Sequence, residues 1–498
     1  MYENKGCCDE LITFIDELLK SHPDIGLVWH KKGFYLKKMD KDEDAKKSFE
    51  KALECYNVKI EENPNQYALW ANKGVILFIL KKYDEAILCF ERSLKLNQYY
   101  AYAWKHMGSC YSVMDKNDEA LKCFDEALKI RPDDHEIWID KGIVLNDNKD
   151  YNKAIACFNR SLDFKAKNIR AYYNKFIVFE TIKEYEEALK ACDEIIKIDP
   201  SRDAWYLKGM IYRRMQRYGE ALESFDESLK LDPDDIILLN IKGNTFKYMK
   251  KYQEALACFD NAIAVDPEDY DAYLNKSCVF EKLKDFKQAL KNADKAFELE
   301  PENYWVLVQN GYLLMEMGKS DESAVFLENA LKYTLNELEE NPDDPYAWSN
   351  KANDLVNLKR YHEALNAINK SLELDPEYGW ARDLKVYILR KLGSYTDSID
   401  YLDQAFKLDP DNSENRYEKG RALCGLKQFD EALNLFNISI ELDPTNERAL
   451  CAKGVIFKQT GKLGESKEYF EKCLEINPYF QPANKYLNEI KSMNEGQQ

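Results

Sequence analysis

The side chains that could ligate a metal or attack a substrate are few and poorly spaced for it. Five histidines, His22, His30, His106, His135 and His362, are scattered, and none has a second His or Cys at metal-ligand spacing. Of thirteen cysteines, Cys89, Cys123, Cys157 and Cys258 each stand just before a phenylalanine at a regular interval. Equivalent positions of stacked units lie beyond the roughly 7 Å reach of a disulfide, so these read as small, buried, reduced residues. Cys7 and Cys8 are adjacent, but no nearby His or Cys completes a site. Neither a phosphate-cradling GxxxxGK[ST] nor a GxGxxG after a strand occurs, and HExxH is absent. The acid pairs of the KYDEAL-like turns suit helix starts, where the helix dipole favours negative charge. The sequence carries no enzyme signature and implies no metal and no cofactor.

The elements that would have to position any site are helices. In the stretch 101–134, Trp104, Met107, Gly108 and Tyr111 share one helical face. Asn117 and Asp118 interrupt that helix, since their side chains favour turns and helix starts. Ala120, Phe124, Ala127 and Leu128 mark the inner face of a second helix, which Pro132 ends. The same pattern returns about every 34 residues: Gly74, Gly108, Gly142, then Gly209 and Gly243; Phe90, Phe124 and Phe158; Pro200, Pro233, Pro267 and Pro301.

This Trp-x3-Gly-x2-Tyr … Ala-x3-Phe … Pro pattern resembles the tetratricopeptide repeat (TPR), as found in multi-repeat proteins of archaea and bacteria. The resemblance implies an all-α, right-handed superhelical solenoid whose first helices line a concave groove. About thirteen units are expected, beginning near 26, 67, 101, 135, 169, 202, 236, 270, 304, 345, 379, 413 and 447. A lone N-terminal half-repeat (1–25) and a C-terminal capping helix and tail (481–498) flank them. The units at 26 and 304 are long, with about two extra helical turns in the second helix. They divide the chain into blocks 26–303 and 304–480. The 169 unit carries Phe176 where Gly is usual, and the 270 unit pairs Ser277 with Ala293, so packing there is expected to adjust. In the final helix, Ala483, Tyr486, Leu487 and Ile490 are expected to cover the last unit, with Lys485 and Glu489 facing water.

A solenoid escapes the usual size limit of a single core because each unit packs only on its neighbours. The net charge of −18 argues against general nucleic-acid binding and anionic membranes. No run approaches the roughly 20 apolar residues of a membrane span, and MYENKGCCDE lacks signal-peptide features. A cytoplasmic, non-enzymatic scaffold for a protein or peptide partner is the leading expectation. An RNA- or anion-binding helical-repeat protein, or an accessory subunit of an enzyme complex, is the alternative.

Groove positions implied by the resemblance vary along the chain. Glu136, Asp147 and Glu180 are acidic; Arg213, Arg214 and Lys247 form a weaker anion-binding candidate. Trp305, Tyr312, Tyr346, Asn353, Trp380 and Tyr387 form the main peptide-binding candidate, followed by Arg390, Arg421, Arg448 and Lys458. Aromatics with nearby Arg and Asn are what protein-binding hot spots use. The plainer reading of Trp305, Tyr346 and Trp380 is that they shield altered packing around the long 304 unit. The two-carboxylate clamp of TPR co-chaperones is not matched: Asn240, Asn244 and Asn275 fit it, but Trp305 and Gln309 stand where cations are needed.

Overall fold

The computed structural model describes residues 5–408, 412–477 and 480–495, with side chains described for 10–404, 412–477 and 480–490. The side chains of Cys7 and Cys8 and the last three residues of the tail lie outside the described residues. Among the described residues there are 28 helices and no strand. They fall into two compact units, Met1–Pro233 and Asp234–Gln498. Within each, a helix packs on the one before it and the one after it.

The first helices begin where the sequence spacing places them, at Gly26, Tyr67, Ala101, His135, Ile169 and Arg202 in the first unit. In the second they begin at Ile236, Tyr270, Tyr304, Pro345, Gly379, Ser413 and Glu447. Second helices are 14 residues long at Tyr83–Leu96 but 21 at Asp42–Glu62 and at Ser320–Glu340. Leading and closing helices span Lys5–Ser21 and Gln481–Glu495.

One contact explains the glycine. A Cβ added at Gly108 would lie 2.8 Å from the Phe124 ring, and at Gly142 2.5 Å from Phe158, so ring and backbone meet with no room for a methyl group. Phe124 and Phe158 are fully buried in return, each worth roughly 1.5–3 kcal/mol of burial. The 169 unit exchanges the partners: Phe176 on the first helix joins the small Cys192 of the second in one buried cluster. In the 270 unit both are small, and polar links replace the ring. Gln309 Nε2 donates to Ser277 Oγ at 3.3 Å, and Asn310 Nδ2 donates to the Ala293 carbonyl at 3.0 Å.

The tryptophan and proline are linked as well. The indole N–H of Trp29, Trp70, Trp138 and Trp348 donates to the carbonyl of Pro23, Pro64, Pro132 and Pro342, six residues earlier, at 2.8–2.9 Å. Each bond ties a first helix to the turn that precedes it.

Two expectations are corrected. The helix starting at Ala101 ends at Val113, and the break lies at Asp115, whose φ is 57°, not at Asn117 and Asp118, which open the next helix. Glu489 does not simply face water: it is half-buried and pairs with Lys458. The described cysteines are all free thiols, and burial pushes those of Cys110 and Cys123 up to about 12. No helix among the described residues is long and apolar enough to cross a membrane.

Candidate functional site

Trp305, Tyr346 and Trp380 sit second in three successive first helices of the second unit, Tyr304–Glu316, Pro345–Asn357 and Gly379–Lys391. Side-chain caps fix where two of these helices begin. Asn303 Oδ1 accepts from the Trp305 and Val306 N–H groups at 3.0 and 3.3 Å, and Asp344 Oδ1 accepts from the Tyr346 N–H at 2.8 Å. Pro345 suits the first helical position, where no N–H is needed. The rings therefore ride on first turns and remain open: Trp305 is 60%, Tyr346 56% and Trp380 42% exposed.

Each ring leans on a second aromatic. Trp305 meets Tyr304 edge-on at 5.0 Å, Tyr346 meets Tyr378 edge-on at 4.8 Å, and Tyr378 lies 6.2 Å from Trp380. Such pairs hold the outer rings in place without covering them. Tyr312 and Tyr387 are half-buried further along their helices. Burial, then Glu281, Glu316 and Tyr387, pushes the Tyr312 phenol up to about 12, so it stays a neutral donor. Arg390 and Lys391 lie 5.1 and 5.3 Å from the Tyr387 ring centre.

Asn353 has a supporting position: its amide acts on the Tyr304 hydroxyl, opposing the rise that burial imposes on the phenol's pKa. The Tyr304 hydroxyl donates to Asp354 Oδ1 at 2.9 Å, and Thr334 Oγ1 donates to Asp354 Oδ2 at 2.9 Å. Asp354 is fully buried. The two donated hydrogen bonds favour its charged form, but burial outweighs them and raises its pKa from 3.8 to about 7. Tyr304, Thr334 and Asp354 were not singled out by sequence reasoning. A signal for Asp354 exists: its place in the unit is taken elsewhere by Val144, Val178, Ile211, Val279, Leu313 and Ile388, all buried.

The weaker anion-binding candidate is divided between the two units, with Arg213 and Arg214 in the first and Lys247 in the second. Arg214 is paired with Glu180 at 3.1 Å. Nearby in the first unit, Arg170 bridges Glu136 at 2.6 Å and Asp140 at 2.7 Å, so the acidic stretch supplies its own cation.

Comparison with known proteins agrees with the architecture. Family models described as tetratricopeptide repeat match residues 27–56, 67–168, 203–303, 345–378 and 389–480. A search of curated proteins finds no match. Among solved structures the chain is similar to YrrB, "a TPR protein with an unusual peptide-binding site", at 21% identity over 37% of this chain and 95% of that one, with a TM-score of 0.32. It is also similar to MamA, at 18% identity over 34% of this chain and 92% of that one, TM-score 0.31. A tetratricopeptide repeat protein from Parabacteroides merdae matches at 17% identity over 47% of this chain and 93% of that one, TM-score 0.37. With its unit starts, its Gly–Phe contacts and these family matches along most of its length, the chain belongs to the tetratricopeptide repeat family.

Proposed function

We propose that the chain is a protein-interaction scaffold whose second unit holds an extended segment of a partner protein on the row Trp305, Tyr346 and Trp380. One observation carries this reading. The repeat at 26 has the same lengthened second helix, yet the second positions of its first helix and of the next two first helices are Leu27, Ala68 and Tyr102. A long repeat is therefore packed without a Trp or Tyr at the first two of these positions. Shielding of altered packing does not account for Trp305 and Tyr346. Large, held and open rings gain most by burial against a partner. Tyr312, Tyr387 and Asn353 serve the row as an inner wall and as its support.

The net charge of −18 weighs against RNA as the ligand. The reading is tested by selecting peptides from a displayed random library on the full chain. The selected peptide is then titrated against wild type and a Trp305→Ala/Tyr346→Ala/Trp380→Ala variant that keeps its helical circular dichroism. Loss of binding by about a hundredfold or more is expected, since two or more hot-spot rings are removed. Equal affinity for both proteins would move the binding surface elsewhere.

A further inference from the structure

A cavity of about 450 Å3 lies among the units that begin at 379, 413 and 447 and the closing helix, lined in part by Arg390, Arg421, Arg448, Tyr395, Tyr417 and Tyr486. Its three guanidiniums are unevenly matched. Arg448 pairs with Glu414 and, at 3.0 Å, with Glu418, and lies 4.6 Å from the Tyr417 ring centre. Asp383 and Glu414 both interact with Arg448. Arg421 has Glu418 at 3.3 Å. Arg390 has Glu418 at 3.7 Å, beyond hydrogen-bond reach, and its side chain is only 15% exposed. Arg390 Nε and Glu418 Oε2 are both buried without a hydrogen-bond partner among the described residues. Burial and the like charge of Arg421 lower the Arg390 pKa.

Two neighbouring cations thus share a carboxylate that is already committed to a third. A buried guanidinium N–H without a hydrogen bond is costly, and the planar fork of donors matches carboxylate and phosphate oxygens. The tyrosines supply flat apolar walls for the rest of a ligand. We propose that this cleft is an oxyanion site, in which Arg390 and Arg421 hold the carboxylate or phosphate of a ligand whose aromatic body lies among Tyr395, Tyr417 and Tyr486. Arg390 lies against the ring of Tyr387, so the cleft adjoins the aromatic row, but its existence does not depend on the row binding a peptide.

The test is calorimetric titration of the full chain at low salt with phenyl phosphate, benzoate and neutral benzamide. At least one anion should bind saturably and benzamide should not. The stronger anion tells whether phosphate or carboxylate is preferred. Arg390→Gln and Arg421→Gln should each weaken binding about tenfold or more, while Lys467→Gln on the exposed surface leaves it unchanged. On the wild-type chain the bound anion should also protect Arg390 and Arg421 from phenylglyoxal, read by mass spectrometry. This readout stands even if a variant misfolds. No binding by either anion, equal binding of benzamide, or no protection of the two arginines would overturn the proposal.

Discussion

The two long repeats solve one packing problem with different chemistry. Both add seven residues to the second helix, and both must fill the space beside the first residue of their first helix. In the first, Gly26 leaves the space and Tyr56 fills it from the long helix: a Cβ on Gly26 would lie 3.2 Å from the Tyr56 ring. In the second, Tyr304 fills it from the first helix, and the smaller Thr334 stands where Tyr56 would be. The third participant comes from the next unit, where buried Ile76 in the first region corresponds to buried Asp354 in the second. The Tyr56 hydroxyl consequently has no hydrogen-bond partner among the described residues, whereas the Tyr304 hydroxyl has Asp354. The difference teaches that lengthening the helix requires a ring inside but no ring outside. The polar solution in the second region also fixes the Tyr304 ring against which Trp305 leans.

The comparison breaks most sharply if the inner ring is removed. Tyr304→Gly empties the space with no second ring to fill it, and should cost about 3–5 kcal/mol, read as lost hydrogen-exchange protection over 304–357. Gly26→Tyr should likewise destabilise the first region, because its Cβ alone would lie 3.2 Å from Tyr56 and the Ala52 carbonyl, leaving no room for a ring. Adding Tyr56→Thr to Gly26→Tyr copies the second solution and should recover most of that loss. No recovery would show that the two regions are not equivalent.

Next comes pH. Because burial raises the Asp354 pKa from 3.8 to about 7, the unfolded chain releases this proton before the folded one does. Its contribution to stability is therefore fully present below about pH 4 and lost as pH rises to about 7. Asp354→Asn should remove that slope from the exchange protection of 304–357 while leaving 26–80 unaffected. An unchanged slope would mean that Asp354 does not titrate there.

Removing single hydroxyls should separate the regions further. Tyr304→Phe leaves Asp354 with one donor and should cost about 1–3 kcal/mol. Tyr56→Phe removes a group that has no partner and should change stability by less than about 0.5 kcal/mol. A further modest effect lies in the turns. Asp40 in the first long repeat and Gly318 in the second share the left-handed conformation, with φ of 60° and 77°. Asp40→Gly should stabilise by about 0.5–1 kcal/mol, and Gly318→Asp should destabilise by a similar amount, both read as shifts in melting temperature.

The helices were legible in the sequence because the units reuse the same physical requirements: in most a glycine under a ring and a proline after the second helix, and in four a tryptophan six residues beyond that proline. The left-handed turn residues were not. Most of them are lysines, such as Lys81, Lys149 and Lys250, which carry no local signal for that conformation. The exposed rings Trp305, Tyr346 and Trp380 were legible by their position in the unit, while their inner supports were not. Asp354 was hidden by the abundance of carboxylates, since its meaning comes from the apolar place it occupies. The arginines around Tyr417 were visible as charges, but their unequal share of Glu414 and Glu418 is a matter of distances that spacing does not encode.

The most direct test of the account places ring removals in the two regions side by side. With a peptide selected on the full chain, affinity is measured for Trp305→Ala/Trp380→Ala and for the matching pair Leu27→Ala/Tyr102→Ala, with circular dichroism confirming that both stay folded. The account predicts a loss of about tenfold or more for the first pair and no change for the second. Equal affinities for the two variants would contradict it.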